Sequence, residues 1–154
     1  MPNWIENAIE IYGSEQDIRD AEKLLKGPNG ALDFDKVIPM PEDIKDTKDS
    51  ELWAEEHWGT KWNASETDLA PDPDGENSSI IATFMTPWKP PLPVVEELSS
   101  RFPDIKIKLE SRSDDIVEYF EFKQGMQVDY DMQNAEDMVD DRGMEDQGLG
   151  ELLI

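Results

Sequence analysis

Trp4-Ile5-Glu6-Asn7-Ala8-Ile9-Glu10-Ile11-Tyr12-Gly13, running into Ser14-Glu15-Gln16-Asp17-Ile18, is the stretch that decides the fold. Ile5, Asn7, Ile9 and Ile11 fall on one side of an extended chain, and Glu6, Glu10 and Tyr12 on the other. That is the period-two pattern of a strand with one buried face. Gly13 ends it. Ser14 then stands as a helix N-cap, with Asp17 three residues on in the capping-box position. Ile18, Ala21, Leu24 and Leu25 line the helix on one side, and Gly27-Pro28 stops it. The chain therefore opens with a strand feeding directly into a helix.

Working outward, Leu32 to Pro41 is a short apolar segment whose core signal lies in Phe34, Val37 and Ile38. Pro39 and Pro41 end any pairing there. Glu42 to His57 is polar and acidic, and reads as partly helical. Trp58 to Asn63 reads as a strand, and Ser65 to Asn77, rich in Asp, Pro and Gly, as a surface loop. Ser78 to Trp88 is the most β-like run, through Ile80, Ile81, Thr83 and Phe84. A second helix follows, with Pro93 in its first turn, Val94, Val95, Leu98 and Phe102 on one side, and Pro103 closing it. Ile105 to Glu110 alternates as a half-buried strand should, and Ile116 to Lys123 is another strand. The order predicts an α+β fold: a ferredoxin-like antiparallel sheet with two helices on one face. Its domain spans 1–124. Residues 125–154 read as an acidic C-terminal tail that is disordered or folds on binding, with Met132, Ala135, Met138 and Val139 along a weak amphipathic helix.

The charge bounds the function. Asp and Glu number 37 against 14 Lys and Arg in 154 residues, a formal net charge of -23. Phosphate binding relies on Lys and Arg, so nucleic acid and anionic membranes are repelled and basic surfaces attracted. A solvated acidic face that serves solubility is the plain alternative. No cysteine is present, which excludes disulfides, thiolate metal sites and cysteine nucleophiles. The N-terminus has no basic segment followed by an apolar run, and no stretch nears the roughly 20 apolar residues that span a bilayer. A cytoplasmic location, in a host cell, is the expectation.

Catalysis finds little support. His57, in Glu55-Glu56-His57-Trp58, has no nucleophile motif around it and reads as an exposed or capping histidine. Carboxylate pairs mean little where 37 acids occur. Asp72-Pro73-Asp74-Gly75-Glu76-Asn77 hints at a calcium loop, but the glycine and glutamate stand at the wrong positions. A turn is the better reading. The five tryptophans, Trp4, Trp53, Trp58, Trp62 and Trp88, lack the basic surroundings of a base-stacking groove. Core and loop-anchoring roles suit them, with Trp58, Trp62 and Trp88 expected to pack together where the loops meet the sheet. The protein is expected not to be an enzyme and to need no metal or cofactor.

Four stretches resemble a known family. They are Pro2-Asn3-Trp4 with Asn7; Phe34-Asp35-Lys36-Val37-Ile38-Pro39-Met40-Pro41; Trp58-Gly59-Thr60-Lys61-Trp62; and Thr86-Pro87-Trp88-Lys89-Pro90-Pro91 with Phe102-Pro103. Together they are similar to the YubB-like ferredoxin-like domain family, encoded largely by bacteriophages and plasmids. The resemblance covers residues 2–123 and leaves the acidic tail outside. It implies the ferredoxin-like fold and a mobile-element origin, and no catalytic residue.

Charge and resemblance together lead to one expectation. The chain is a phage or mobile-element protein that inhibits a host nucleic-acid-binding defence complex, of anti-CRISPR or anti-restriction type, by presenting a DNA-mimicking acidic surface to a basic protein groove. The alternative is a non-inhibitory interaction or assembly module that uses the Trp-rich loops and the tail. Neither involves direct nucleic-acid or membrane binding, and the oligomeric state is open. The acids cluster in Glu42 to Glu76, in Glu110 to Glu121 and in the tail. The candidate contacts are Glu42, Asp43, Asp46, Asp49, Glu51, Glu55, Glu56, Asp72, Asp74, Glu76, Asp114, Asp115, Asp129, Asp131, Glu136, Asp137, Asp140 and Asp141, with Trp58, Trp62 and Trp88.

Overall fold

Ser14 caps the first helix as its sequence predicts: its side chain accepts from the Asp17 amide at 3.1 Å. The computed structural model describes residues 3–71 and 79–134. Strand β1 spans Trp4–Tyr12 and helix α1 Glu15–Leu25. Two short helices follow, α2 at Phe34–Val37 and α3 at Ser50–His57. Then come β2 (Ser65–Pro71), β3 (Ser79–Pro87), α4 (Leu92–Arg101), β4 (Lys106–Arg112), β5 (Ile116–Lys123) and β6 (Met126–Asn134).

The described strands form one sheet in the order β2-β3-β1-β4-β5-β6, antiparallel at every pairing. β1 and β2 run the same way with β3 between them, and β3 and β4 do the same around β1. These are the two interleaved split βαβ units of a ferredoxin-like domain. β5 and β6 widen the sheet beyond β4.

One face of the sheet carries the core. Ile9, Ile11, Ile80, Phe84, Ile107, Leu109 and Phe122 meet Ile18 and Leu25 of α1 and Val94, Val95 and Leu98 of α4. Phe34 is fully buried where α2 meets the sheet, with its ring edge-on to Trp58 at 5.7 Å and to Phe84 at 5.9 Å. Burying a side chain of this size contributes about 1.5–3 kcal/mol. A polar row closes one end of this face. Asn7 donates to Thr86 Oγ1 at 2.9 Å and accepts from Ser111 Oγ at 2.8 Å, so its burial is matched by partners. The opposite face carries Glu6, Ala8, Glu10 and Tyr12, and among the described residues no helix packs on it.

Four expectations change. First, the described residues hold four helices: α3 falls in the segment read as partly helical, and α2 is added to the two that the periodicity showed. Second, Trp58 to Asn63 is not a strand: Trp58 caps α3, and Gly59 takes a φ of 86° that turns the chain. Third, Ser65 to Pro71 is not a loop but strand β2, at the edge of the sheet beside β3. An edge strand is half solvated, so it shows no apolar run, and it tolerates a terminal proline. Its register also shifts between Ser65 and Asp68, where Glu66 has a φ of 50°. Fourth, the sheet does not stop at 124. Gln124 and Gly125 both have positive φ, as a two-residue hairpin turn requires, and β6 pairs with β5 from Lys123↔Met126 to Ile116↔Asn134. Met132 thus lies on a strand and not on an amphipathic helix. The remaining expectations for the tail, and those for 72–78, fall outside the described residues.

Candidate functional site

A polar network borders a groove beside the acidic segment before α3. Asp33 is buried and caps α2: its Oδ1 accepts from the Asp35 amide at 3.1 Å and from Asn63 Nδ2 at 2.8 Å. Its Oδ2 accepts from the Asn29 amide at 3.3 Å. Asn63 Oδ1 accepts from the Phe34 amide at 2.8 Å, and Asn29 Nδ2 donates to the Ala64 carbonyl at 2.8 Å. Three short polar side chains thereby tie the loop after α1 to the approach to β2.

The groove is open, with a volume of ≈ 640 Å³, and lined by Asp35, Lys45, Asp46, Glu51, Trp58, Lys61 and Trp62, among others. Lys45 Nζ bridges Asp35 at 3.1 Å and Glu42 at 2.9 Å. Its hydrogen bonds to Glu42 and Asp35 raise its pKa above the ordinary lysine value. Trp62 donates to Glu51 at 2.8 Å and lies 5.8 Å from Trp4, with Lys61 Nζ 4.8 Å from its ring centre. Glu42, Asp43, Asp46, Asp49, Glu51, Glu55 and Glu56 are all exposed, in α3 and the segment before it. Lys89 approaches Glu55 at 3.9 Å from the loop before α4.

The tryptophans do not pack as one group. Trp58 is buried against Phe34 and Trp53 and donates to the Ile38 carbonyl at 2.8 Å. Trp62 pairs with Trp4. Trp88 stands apart, 54% exposed, with a left-handed φ of 67°. That backbone is held by Trp88 N–H donating to the Asn3 carbonyl and by Thr86 Oγ1 donating to the Lys89 carbonyl. Loop crossings from separate elements separate the three rings, a feature that sequence proximity hides. His57 stacks on Trp53 at 4.2 Å, and its Nδ1 lies 2.9 Å from the Trp53 carbonyl at the end of α3.

The other acids are dispersed. Asp114 and Asp115 are exposed at the turn between β4 and β5. Asp129 and Asp131 project from β6 onto the face opposite the helices, paired with Glu121 and Tyr119. Asp72, Asp74, Glu76, Glu136, Asp137, Asp140 and Asp141 lie outside the described residues.

Sequence reasoning passed over Glu110 as a site residue. In the sequence it closes an ordinary alternation, Ile105 to Glu110, yet it is only 2% exposed, on the helix-free face between Ala8 of β1 and Tyr119 of β5. Neither carboxyl oxygen has a hydrogen-bond partner, and Arg112 Nη2 approaches no nearer than 4.0 Å. Burial pushes its pKa up to about 7; Arg112 opposes that shift and Glu10 adds to it. No signal short of the strand register could have found it. Among the described residues, no three of His, Asp and Glu are placed to hold a metal ion.

A family model described as a ferredoxin-like domain in Api92-like protein matches residues 57–149. That span begins later than the resemblance over 2–123 and reaches past the boundary expected at 124. A crystal structure of a protein api92 from Yersinia pseudotuberculosis is similar at a TM-score of 0.63 and 12% sequence identity, covering 86% of this chain and 98% of that one. At that identity the likeness speaks to the fold. No curated protein matches the chain.

Proposed function

The chain belongs to the family of ferredoxin-like domains in Api92-like proteins, and on that premise we propose that it is a binding module whose partner presents a basic protein surface. One observation carries this reading. Seven carboxylates, Glu42, Asp43, Asp46, Asp49, Glu51, Glu55 and Glu56, are exposed within one short segment, 42–56. Lys45 is spent on two acids, so it does little to neutralise the rest. A second acidic strip supports it: Glu121 and Asp129 face each other across β5 and β6, an arrangement that weakens a sheet unless something is gained by it. Asp129 and Asp131, two residues apart on a strand, are separated by about 6.8 Å, close to two nucleotide steps of about 3.4 Å.

The partner that fits best is the nucleic-acid groove of a host defence complex, of CRISPR-effector or restriction type, with the chain acting as a DNA mimic in the host cytoplasm. The likeness of its four motifs to YubB-like phage and plasmid domains supports that choice. Among the described residues no helix is long and apolar enough to cross a membrane. Competition is the test. Purified chain should displace duplex DNA from such a complex at low salt and lose that ability as salt rises. DNA binding that persists across a panel of defence complexes would end this reading.

Trp88 favours a second reading, an assembly module without inhibition. A tryptophan that is exposed and holds a left-handed backbone costs stability, and such positions cluster at contact sites. Binding that survives high salt but fails in Trp88→Ala would select it.

A further inference from the structure

Glu110 lies in a cleft of ≈ 400 Å³ on the face of the sheet opposite the helices. Ala8 and Glu10 of β1 line it, with Tyr119 and Glu121 of β5 and Asp129 and Asp131 of β6. The charged groups that face Glu110 are Glu10 from β1, Lys108 and Arg112 from β4, Glu121 from β5, and Asp129 and Asp131 from β6. Counting Glu110, five carboxyl groups meet two bases. A buried acid with both oxygens unpartnered is costly unless something completes it.

We propose that this cleft binds an organic cation, a guanidinium or primary ammonium group, with Glu110 as the buried counter-ion and Tyr119 beside it. Three features favour an organic cation over a metal ion. The volume suits a side-chain-sized ligand. The described acids are not gathered at metal-ligating geometry. A tyrosine ring attracts a polyatomic cation through its face, and planar guanidinium matches a carboxylate through two hydrogen bonds. The site deepens the reading of a basic partner, on which it rests for the bearer of the cation, and it lies on the other side of the sheet from the groove beside α3. Glu110 releases its proton to solvent when the cation arrives, because the ion pair requires the carboxylate. Affinity therefore rises with pH through the range in which the free group titrates.

The experiment is calorimetric titration of the full chain at pH 6 and pH 8, at fixed ionic strength, with an acetylated tetra-arginine amide and, separately, with spermidine. The parent should bind about tenfold more tightly at pH 8, since one proton must leave. Glu110→Gln should bind weakly at both values with no pH slope, and Glu15→Gln, exposed on α1, should match the parent. Binding of the peptide alone assigns the cation to a protein side chain, and equal binding of spermidine assigns it to a free polyamine. If Glu110→Gln does not fold, carbon NMR of the parent decides: the Glu110 carboxyl should titrate at least one unit lower with saturating peptide. A parent affinity flat in pH, a Glu110→Gln variant that binds like the parent, or an unmoved titration overturns the site. Defence-complex competition separates the two readings. If competition succeeds while peptide binding is the same in Glu110→Gln as in the parent, the cleft alone falls; if peptide binding depends on Glu110 while competition fails, the defence-complex reading alone falls.

Discussion

Glu110 is a carboxylic acid kept where a carboxylate is poorly solvated. Unfolded, it ionises near the ordinary 4.5; folded, it keeps its proton to about 7. Between those values the folded chain binds more protons than the unfolded one, so stability falls as pH rises through that window and is level above it. The difference is on the order of 3 kcal/mol. Glu110→Gln removes the slope: the variant should match the parent near pH 4.5 and exceed it by that order at pH 8 in urea melts. Trp88 gives a second residue-scale expectation. Its left-handed φ of 67° costs a side chain with a Cβ about 1 kcal/mol relative to glycine. Trp88→Gly should therefore be more stable than Trp88→Ala by about that amount, measured the same way. Neither property is written in the neighbouring letters. Glu110 sits in Leu109-Glu110-Ser111 like any outward residue, and only its register against Ala8 and Tyr119 buries it.

β6 is the element that most changes the molecule's outline. Its loss should be felt at Phe120, which lies 5.0 Å from Tyr130 across the β5–β6 hairpin. A chain ending at Gln124 forfeits that contact and the β6 ladder, at about 0.2–1 kcal/mol per cross-strand pair. It should melt about 10 °C or more below a chain ending at Asn134, followed by circular dichroism. The elements with strong periodicity, β1, α1, β3, α4, β4 and β5, were legible because one face of each enters the core. β2 and β6 were not, because an edge strand has few apolar positions and β6 turns its Met126, Val128, Tyr130 and Met132 to solvent. Gln124-Gly125 was a weaker turn signal than Asn-Gly or Asp-Gly. α2 was too short to show a period, although Asp33, its cap, stands directly before Phe34.

At the scale of the whole molecule the charge of -23 acts on itself. The Debye length shrinks from about 30 Å at 0.01 M salt to about 3 Å at 1 M. Self-repulsion fades accordingly, and the melting temperature should climb between those limits, followed by calorimetry. An acid-driven complex should weaken over the same range, so stability and affinity should move in opposite directions with salt. The acidity was plain from composition, whereas its division between the α3 side and the helix-free face needed the sheet order. Trp88 turns that field into something optical. An indole 54% exposed on a polyanion meets dissolved ions unequally. Taken as the difference from Trp88→Phe and relative to free indole, its emission should be quenched more by caesium than by iodide at low salt, and the contrast should collapse as salt rises. The chain thus carries its own fluorescent gauge of local potential, and a basic partner seated over that loop would reverse the order of the two quenchers.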